Sequence, residues 1–156
     1  MADAPPESSS TRNVTGIYNF TCAQLEEQHP DQADNLRLLL CVDNDSQPSL
    51  IWGGFEFAMK SGVFRLAADY AGPDIVHAFE WRSRDSSQNG RLRFGKGCVG
   101  ELEFLGRDEI RGVFYDLFNE PLVFNGRRRA GVLWCGKPAW KFEQEWDGFV
   151  KEAYGR

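Results

Sequence analysis

The stretch Leu50-Ile-Trp-Gly-Gly-Phe-Glu-Phe57, continued by Lys60-Ser-Gly-Val-Phe-Arg-Leu66, decides the fold. Phe55, Phe57 and Met59 fall on one side of an extended chain, and Gly54, Glu56 and Ala58 on the other. Alternation with a period of two marks a β-strand with one apolar face. Lys60-Ser-Gly62 reads as a turn by composition and Val63–Leu66 as the return strand, so the segment predicts a β-hairpin.

The same pattern recurs on both sides of that hairpin. Thr15–Cys22 sets Ile17 and Asn19 against Tyr18, Phe20 and Cys22, and Asn35–Val42 reads as a buried strand. Gln24–Pro30 is a helical turn or a loop. Ile75–Arg82 puts Ile75, His77, Phe79 and Trp81 on one face, with Val76, Ala78, Glu80 and Arg82 on the other. After a loop over Arg84–Gly90, Arg91–Phe94 and Gly100–Leu105 turn Leu92, Phe94, Leu102 and Phe104 inward and their charged residues outward. Ile110–Asp116, Leu122–Asn125 and Ala130–Trp134 complete the series. The total is roughly eight to ten short strands at the spacing of a sandwich or barrel. The period then changes. Phe142, Trp146, Phe149, Val150 and Ala153 form a helical face, with Pro138 suited to the first turn. Gly148 weakens that helix by about 1 kcal/mol relative to alanine.

These signals predict a mainly β protein: a single antiparallel β-barrel, calycin-like, of about eight to ten strands over residues 14–156, closed by a C-terminal α-helix. A two-sheet β-sandwich is the alternative. Residues 1–13, polar and proline-bearing, are expected to be a disordered tail.

Composition narrows the function. The 156 residues include 12 Phe, 5 Trp, 4 Tyr and 16 Gly, and the net charge is −5. An acidic chain is a poor general binder of nucleic acid. No run approaches the ~18 apolar residues of a membrane span, and the first residues lack a secretory signal, so a cytoplasmic protein is expected. Sequons at Asn13, Asn19 and Asn44 should then be silent. Cys22, Cys41, Cys98 and Cys135 form no C-x-x-C pair, and His29 and His77 lie far from all of them. Free, buried cysteines are expected, and no metal. Gly95-Lys-Gly-Cys-Val-Gly100 matches G-x-G-x-x-G, but a strand is expected after it where a dinucleotide site needs a helix. It reads as a glycine-rich turn, and no cofactor is expected.

His77 could serve as a base beside Glu80 or Asp74, but it shares an apolar face with Phe79 and Trp81 and reads better as a satisfied histidine. Glu56, Arg65, Glu80 and Arg82 are expected outside the barrel, because buried charges must be paired. Arg127-Arg-Arg129 reads as a solvated strand end.

At Glu27-Gln-His-Pro30, Trp52–Phe57, Ser61–Leu66 and Phe79–Arg82 the chain resembles a family of small uncharacterised proteins of filamentous fungi. Gly100–Gly106, Ile110-Arg-Gly112, Phe124–Arg128 and Glu145–Tyr154 extend the likeness over nearly everything after Thr15. The resemblance implies an intracellular single-domain protein and carries no catalytic residues. A typical member has glycine where Ser83 stands and acidic and glycine residues where Ser86-Ser87-Gln88 stands.

Three functions follow. The first is an intracellular binder of an apolar or aromatic small molecule in fungal natural-product metabolism. Phe55, Phe57, Phe79 and Trp81 would form the wall of its pocket, and His77 a polar contact. The second is a cofactor-free isomerase or cyclase working inside the barrel, by analogy of fold. The third is a protein-interaction or homodimer module with an exposed aromatic face.

Overall fold

The computed structural model describes residues 14–28, 30–31, 36–47, 49–57, 59–67, 76–106, 108–118 and 120–155. The expected tail over 1–13, the strand start at Ile75 and the candidate partner Asp74 lie outside the described residues. The chain runs β1 (Gly16–Thr21), α1 (Ala23–Gln28), β2 (Arg37–Asp43), β3 (Leu50–Phe57), β4 (Lys60–Ala67), β5 (Val76–Asp85), β6 (Arg91–Arg93), β7 (Val99–Gly106), β8 (Glu109–Phe114), β9 (Leu122–Arg128) and α2 (Ala139–Ala153).

All pairings are antiparallel. Strands β1, β2, β3, β4, β5, β7, β8 and β9 neighbour one another in that order, and β9 returns to β1. The result is a closed eight-stranded barrel, because the β4–β5 pairing joins the two ends of the sheet. The short β6 is a ninth strand, paired with the last three residues of β5 beyond the end of β7.

The interior is solid with rings. Phe114 stands at its centre, with ring centroids 4.8 Å from Phe55, 5.4 Å from Phe57, 5.1 Å from Phe79 and 5.6 Å from Phe124. Room for these rings comes from glycines directly across the ladder. Gly53 faces Phe64, Gly62 faces Phe55, Gly100 faces Phe79 and Gly112 faces Phe124. A Cβ on Gly53 would stand 2.1 Å from Phe64 Cζ, and one on Gly100 2.3 Å from Phe79 Cζ. Each phenylalanine therefore lies over a neighbour that has no side chain, which reconciles dense aromatics with a narrow barrel.

Four details depart from the sequence reading. Gly62 is no turn residue: β4 begins at Lys60, and Gly62 is glycine because a Cβ would strike Arg82 O at 2.0 Å. Strand β5 continues through Arg84 to Asp85, since both edges of that segment find partners, in β4 and in β6. Leu92 and Phe94 pack against the cluster under α2 and not inside the barrel, because Leu92 sits in register with the outward Arg84. Ala130–Trp134 forms no strand. With β9 already paired to β1, the sheet offers no free edge there, and Leu133 and Trp134 are exposed.

Helix α2 lies across the outer face of β2–β5. Phe142, Trp146 and Phe149 meet Cys41, Trp52 and Val63 of the barrel wall. This explains the unbroken apolar run in β2: Leu38 and Leu40 face the core, while Leu39 and Cys41 face the helix. No helix among the described residues is long and apolar enough to cross a membrane.

Candidate functional site

The five residues expected to touch a ligand divide between two places. Phe55, Phe57 and Phe79 meet around Phe114, all at most 5% exposed. Trp81, on the same face of β5, donates its indole N–H to Val99 O and Tyr115 O at 3.0 and 3.1 Å. His77 lies toward the opposite end of β5 from Asp85, edge-on to Phe104 with centroids 5.8 Å apart. The rings expected to wall an inner pocket are thus packed against one another.

Space for a ligand lies elsewhere. At the α1 end of the barrel is a polar cup of about 560 Å³ lined by Gln24, Lys60, Asp85, Arg93, Asp116 and Phe118 among others. Four of its charges are matched internally, in two ion pairs. Lys60 Nζ sits 2.6 Å from Asp85 Oδ2 and 5.1 Å from the Phe118 ring centroid. Ser87 donates to Asp85 Oδ1 from its backbone N–H at 2.9 Å and its hydroxyl at 2.6 Å. The Lys60 ammonium and the Ser87 hydroxyl hold the Asp85 carboxyl below its usual range. Arg93 pairs with Asp116 at 3.2 Å and lies over the Trp81 ring.

The larger space, about 880 Å³, is a groove between α2 and the outer wall of β1–β4. Ile17, Leu39, Gly54 and Val63 form the barrel side, and Glu145, Gly148, Phe149 and Glu152 the helix side. Phe55 and Phe57 also contribute to its lining, with Cys135 and Lys137 at the helix lead-in. The rim is charged: Arg37, Glu56, Arg84, Lys137, Glu145 and Glu152 all border it. Two ion pairs fix part of that rim. Lys137 Nζ is 2.7 Å from Glu145 Oε1, and Arg84 grips both Glu152 oxygens at 2.9 and 2.5 Å. The guanidinium holds the Glu152 carboxyl below its usual range.

One residue on the helix side of the groove has no side chain. Gly148 stands mid-helix, where glycine is costly, and a Cβ there would meet nothing within 4 Å. On the barrel side, a Cβ on Gly54 would approach Phe142 Cε1 at 3.1 Å, closer than an ordinary contact, so the bare wall there lets the helix sit close.

Arg65 and Arg82 are outside, as expected, and they also hold the helix. Arg82 stacks 3.9 Å and Arg65 4.6 Å from the Trp146 ring centroid, and Arg82 Nη1 donates to Trp146 O at 2.6 Å. Burial, and next the neighbouring Arg65 charge, lower the Arg82 pKa. Glu80 pairs loosely with Arg65 at 3.8 Å. Two of the three basic residues are neutralised at the strand end: Arg127 pairs with Glu109 and Arg128 with Asp108, while Arg129 Nε donates to the uncharged Asn19 Oδ1. Strand β7 begins at Val99, within the Gly95–Gly100 motif, so the motif leads into a strand and not a helix. Among the described residues no three His, Cys, Asp or Glu side chains gather as metal ligands would.

The groove escaped the sequence reading because its walls come from β1–β4 and from a helix some hundred residues later. Its one local signal was Gly148, read there only as a weakness of the helix. Comparison with protein-family models, with curated proteins and with solved structures finds no match to this chain.

Proposed function

We propose that the protein binds a small molecule with an apolar or aromatic body and a polar edge, held in the groove between α2 and the barrel wall. The observation that carries this reading is the groove itself. Its volume of about 880 Å³ is in the range of small-molecule sites, and it sets an apolar floor of Ile17, Leu39, Val63 and Phe149 under a charged rim that two ion pairs partly fix. Gly148 supports it, because a helix built only for stability would carry alanine there. The polar cup is the weaker candidate, since four of its charges are already taken up in the Lys60–Asp85 and Arg93–Asp116 pairs. The ligand is taken to belong to fungal natural-product metabolism, an expectation resting on the resemblance to fungal proteins and on an analogy of fold.

The test is a titration of apolar dyes and aromatic polyketide-like compounds, read by tryptophan fluorescence. Saturable one-site binding is expected, and Gly148→Leu should abolish it while leaving the fold intact, because leucine suits a helix better than glycine. Binding that Gly148→Leu leaves unchanged, or no binding by any compound, would sink the proposal.

The interaction-module reading has one observation of its own. Leu133, Trp134 and Trp140 are exposed within one short stretch, at 63%, 55% and 64%. The isomerase reading has none: Lys60 and Asp85, a potential acid and base at the barrel end, are held by each other.

A further inference from the structure

The outer wall beneath the groove is laid out in rows across the strands. Asn19, Arg37, Glu56, Ser61 and Arg84 stand in register from β1 to β5. The next row on that face is Ile17, Leu39, Gly54 and Val63, which is apolar or bare. Residues two apart along a strand share a face, so a polar row borders the apolar floor. On the helix side, Glu145 and Glu152 are two turns apart on one stripe, with Gly148 between them. Lys137 holds the first of these carboxylates and Arg84 the second.

Those two ion pairs leave three of the charges that line the groove: Arg37, Glu56 and Asp31. Arg37 and Glu56 are direct cross-strand neighbours of opposite sign. Both are exposed, and among the described residues neither makes an ion pair or a side-chain hydrogen bond. The groove therefore offers a ligand one cation and, directly across the ladder from it, one anion.

We propose that the ligand of the groove is a free α-amino acid with a large apolar side chain, its carboxylate on Arg37, its ammonium on Glu56 and its side chain over Leu39 and Val63 against Phe149. The inference rests on the groove being a binding site and specifies the polar edge of what it binds. Cβ atoms of directly opposite residues stand about 5 Å apart, so side chains from these two positions can converge on two groups carried by a single carbon. The planar fork of a guanidinium suits a carboxylate, and an ammonium brings three donors to a carboxylate that has acceptors to spare. A ligand with a carboxylate alone would answer Arg37 but set its charge against Glu56 and Asp31. A ligand with an ammonium alone would answer Glu56 but bring a second cation beside Arg37. Incorporation into a peptide bond removes the charge of either group, so the free amino acid is the form that satisfies both.

Calorimetric titration of the full-length protein with L-tryptophan, indole-3-propionate and tryptamine tests this, since the three share one ring system and differ in charge. L-Tryptophan should bind roughly ten-fold or more tighter than either analogue. Arg37→Gln should weaken L-tryptophan and indole-3-propionate by roughly ten-fold and leave tryptamine no weaker. Glu56→Gln should weaken L-tryptophan and tryptamine to a similar degree and leave indole-3-propionate no weaker. Both positions are exposed, so the two variants should melt as the unsubstituted protein does. Gly148→Leu should abolish binding of all three. If apolar dyes bind and lose binding on Gly148→Leu, while L-tryptophan binds no tighter than its analogues or not at all, the amino-acid assignment falls and the groove remains a site. If neither dyes nor L-tryptophan bind, both readings fall. L-Tryptophan binding that survives Gly148→Leu, or that neither Arg37→Gln nor Glu56→Gln weakens, would also overturn the assignment.

Discussion

The barrel interior and the layer under α2 are both aromatic, yet they are held in different ways. Inside, phenylalanine packs on phenylalanine over glycine, and Phe114 alone lies within 6 Å, centroid to centroid, of Phe55, Phe57, Phe64, Phe79 and Phe124. Under the helix, a single tryptophan is stacked by two guanidiniums, and ion pairs flank it. Ring packing in a closed wall is set by volume, so every member constrains the rest. Cation–π contacts and ion pairs are separate attachments, each worth about 0.5–2 kcal/mol. An element attached at separate points can leave open space between them, and that is where the groove lies.

Breaking the interior should have the largest effect. Phe114→Ala removes the ring that all the others share and is expected to cost about 4–5 kcal/mol, lowering the melting temperature by roughly 10 °C or more. Urea unfolding followed by circular dichroism measures this. A loss under 2 kcal/mol would mean that the core does not depend on its central ring.

Trp146→Ala should cost about 3 kcal/mol, and differently in kind. Amides of α2 should exchange faster while those of β7–β9 keep their protection, because the helix is attached locally and the barrel is closed without it. Equal loss of protection in helix and strands would erase the distinction between the two regions.

The smallest effect sharpens the contrast by sign. Gly100→Ala should destabilise by about 1–3 kcal/mol, since its Cβ would meet Phe79 Cζ at 2.3 Å and Val113 O at 2.4 Å. Gly148→Ala should stabilise by up to about 1 kcal/mol, having open space to enter. Thermal melts of the two variants on the same day suffice, and shifts of the same sign would refute the account of why each glycine is there.

Much of the wall was legible from alternation alone. Thr15–Cys22, Leu50–Met59 and Gly100–Leu105 became β1, β3 and β7 within a residue or two, and the helical stripe of Phe142, Trp146 and Phe149 docks as its spacing implies. Period two separates two faces of a strand without saying which is inside. Leu92 and Phe94 show the consequence: an outer face covered by a helix is as apolar as an inner one. Turn composition misled at Gly62, whose glycine answers to crowding from β5 and not to chain reversal. The groove could not be read, because it joins residues far apart in sequence that only the closed barrel brings together.

The short β6 bears on how copies of the protein can meet. Closure pairs every strand of the ring on both sides, and among the described residues the edge presented by β6 is three residues long. Arg91 and Arg93, on that strand, discourage a second chain from adding there, as charged, abbreviated edge strands do in natural sheets. Fibrillar growth by strand addition therefore has little to build on while the fold is intact. Contact between copies would fall instead to side chains, and Leu133, Trp134, Trp140 and Tyr154 are among the large ones exposed.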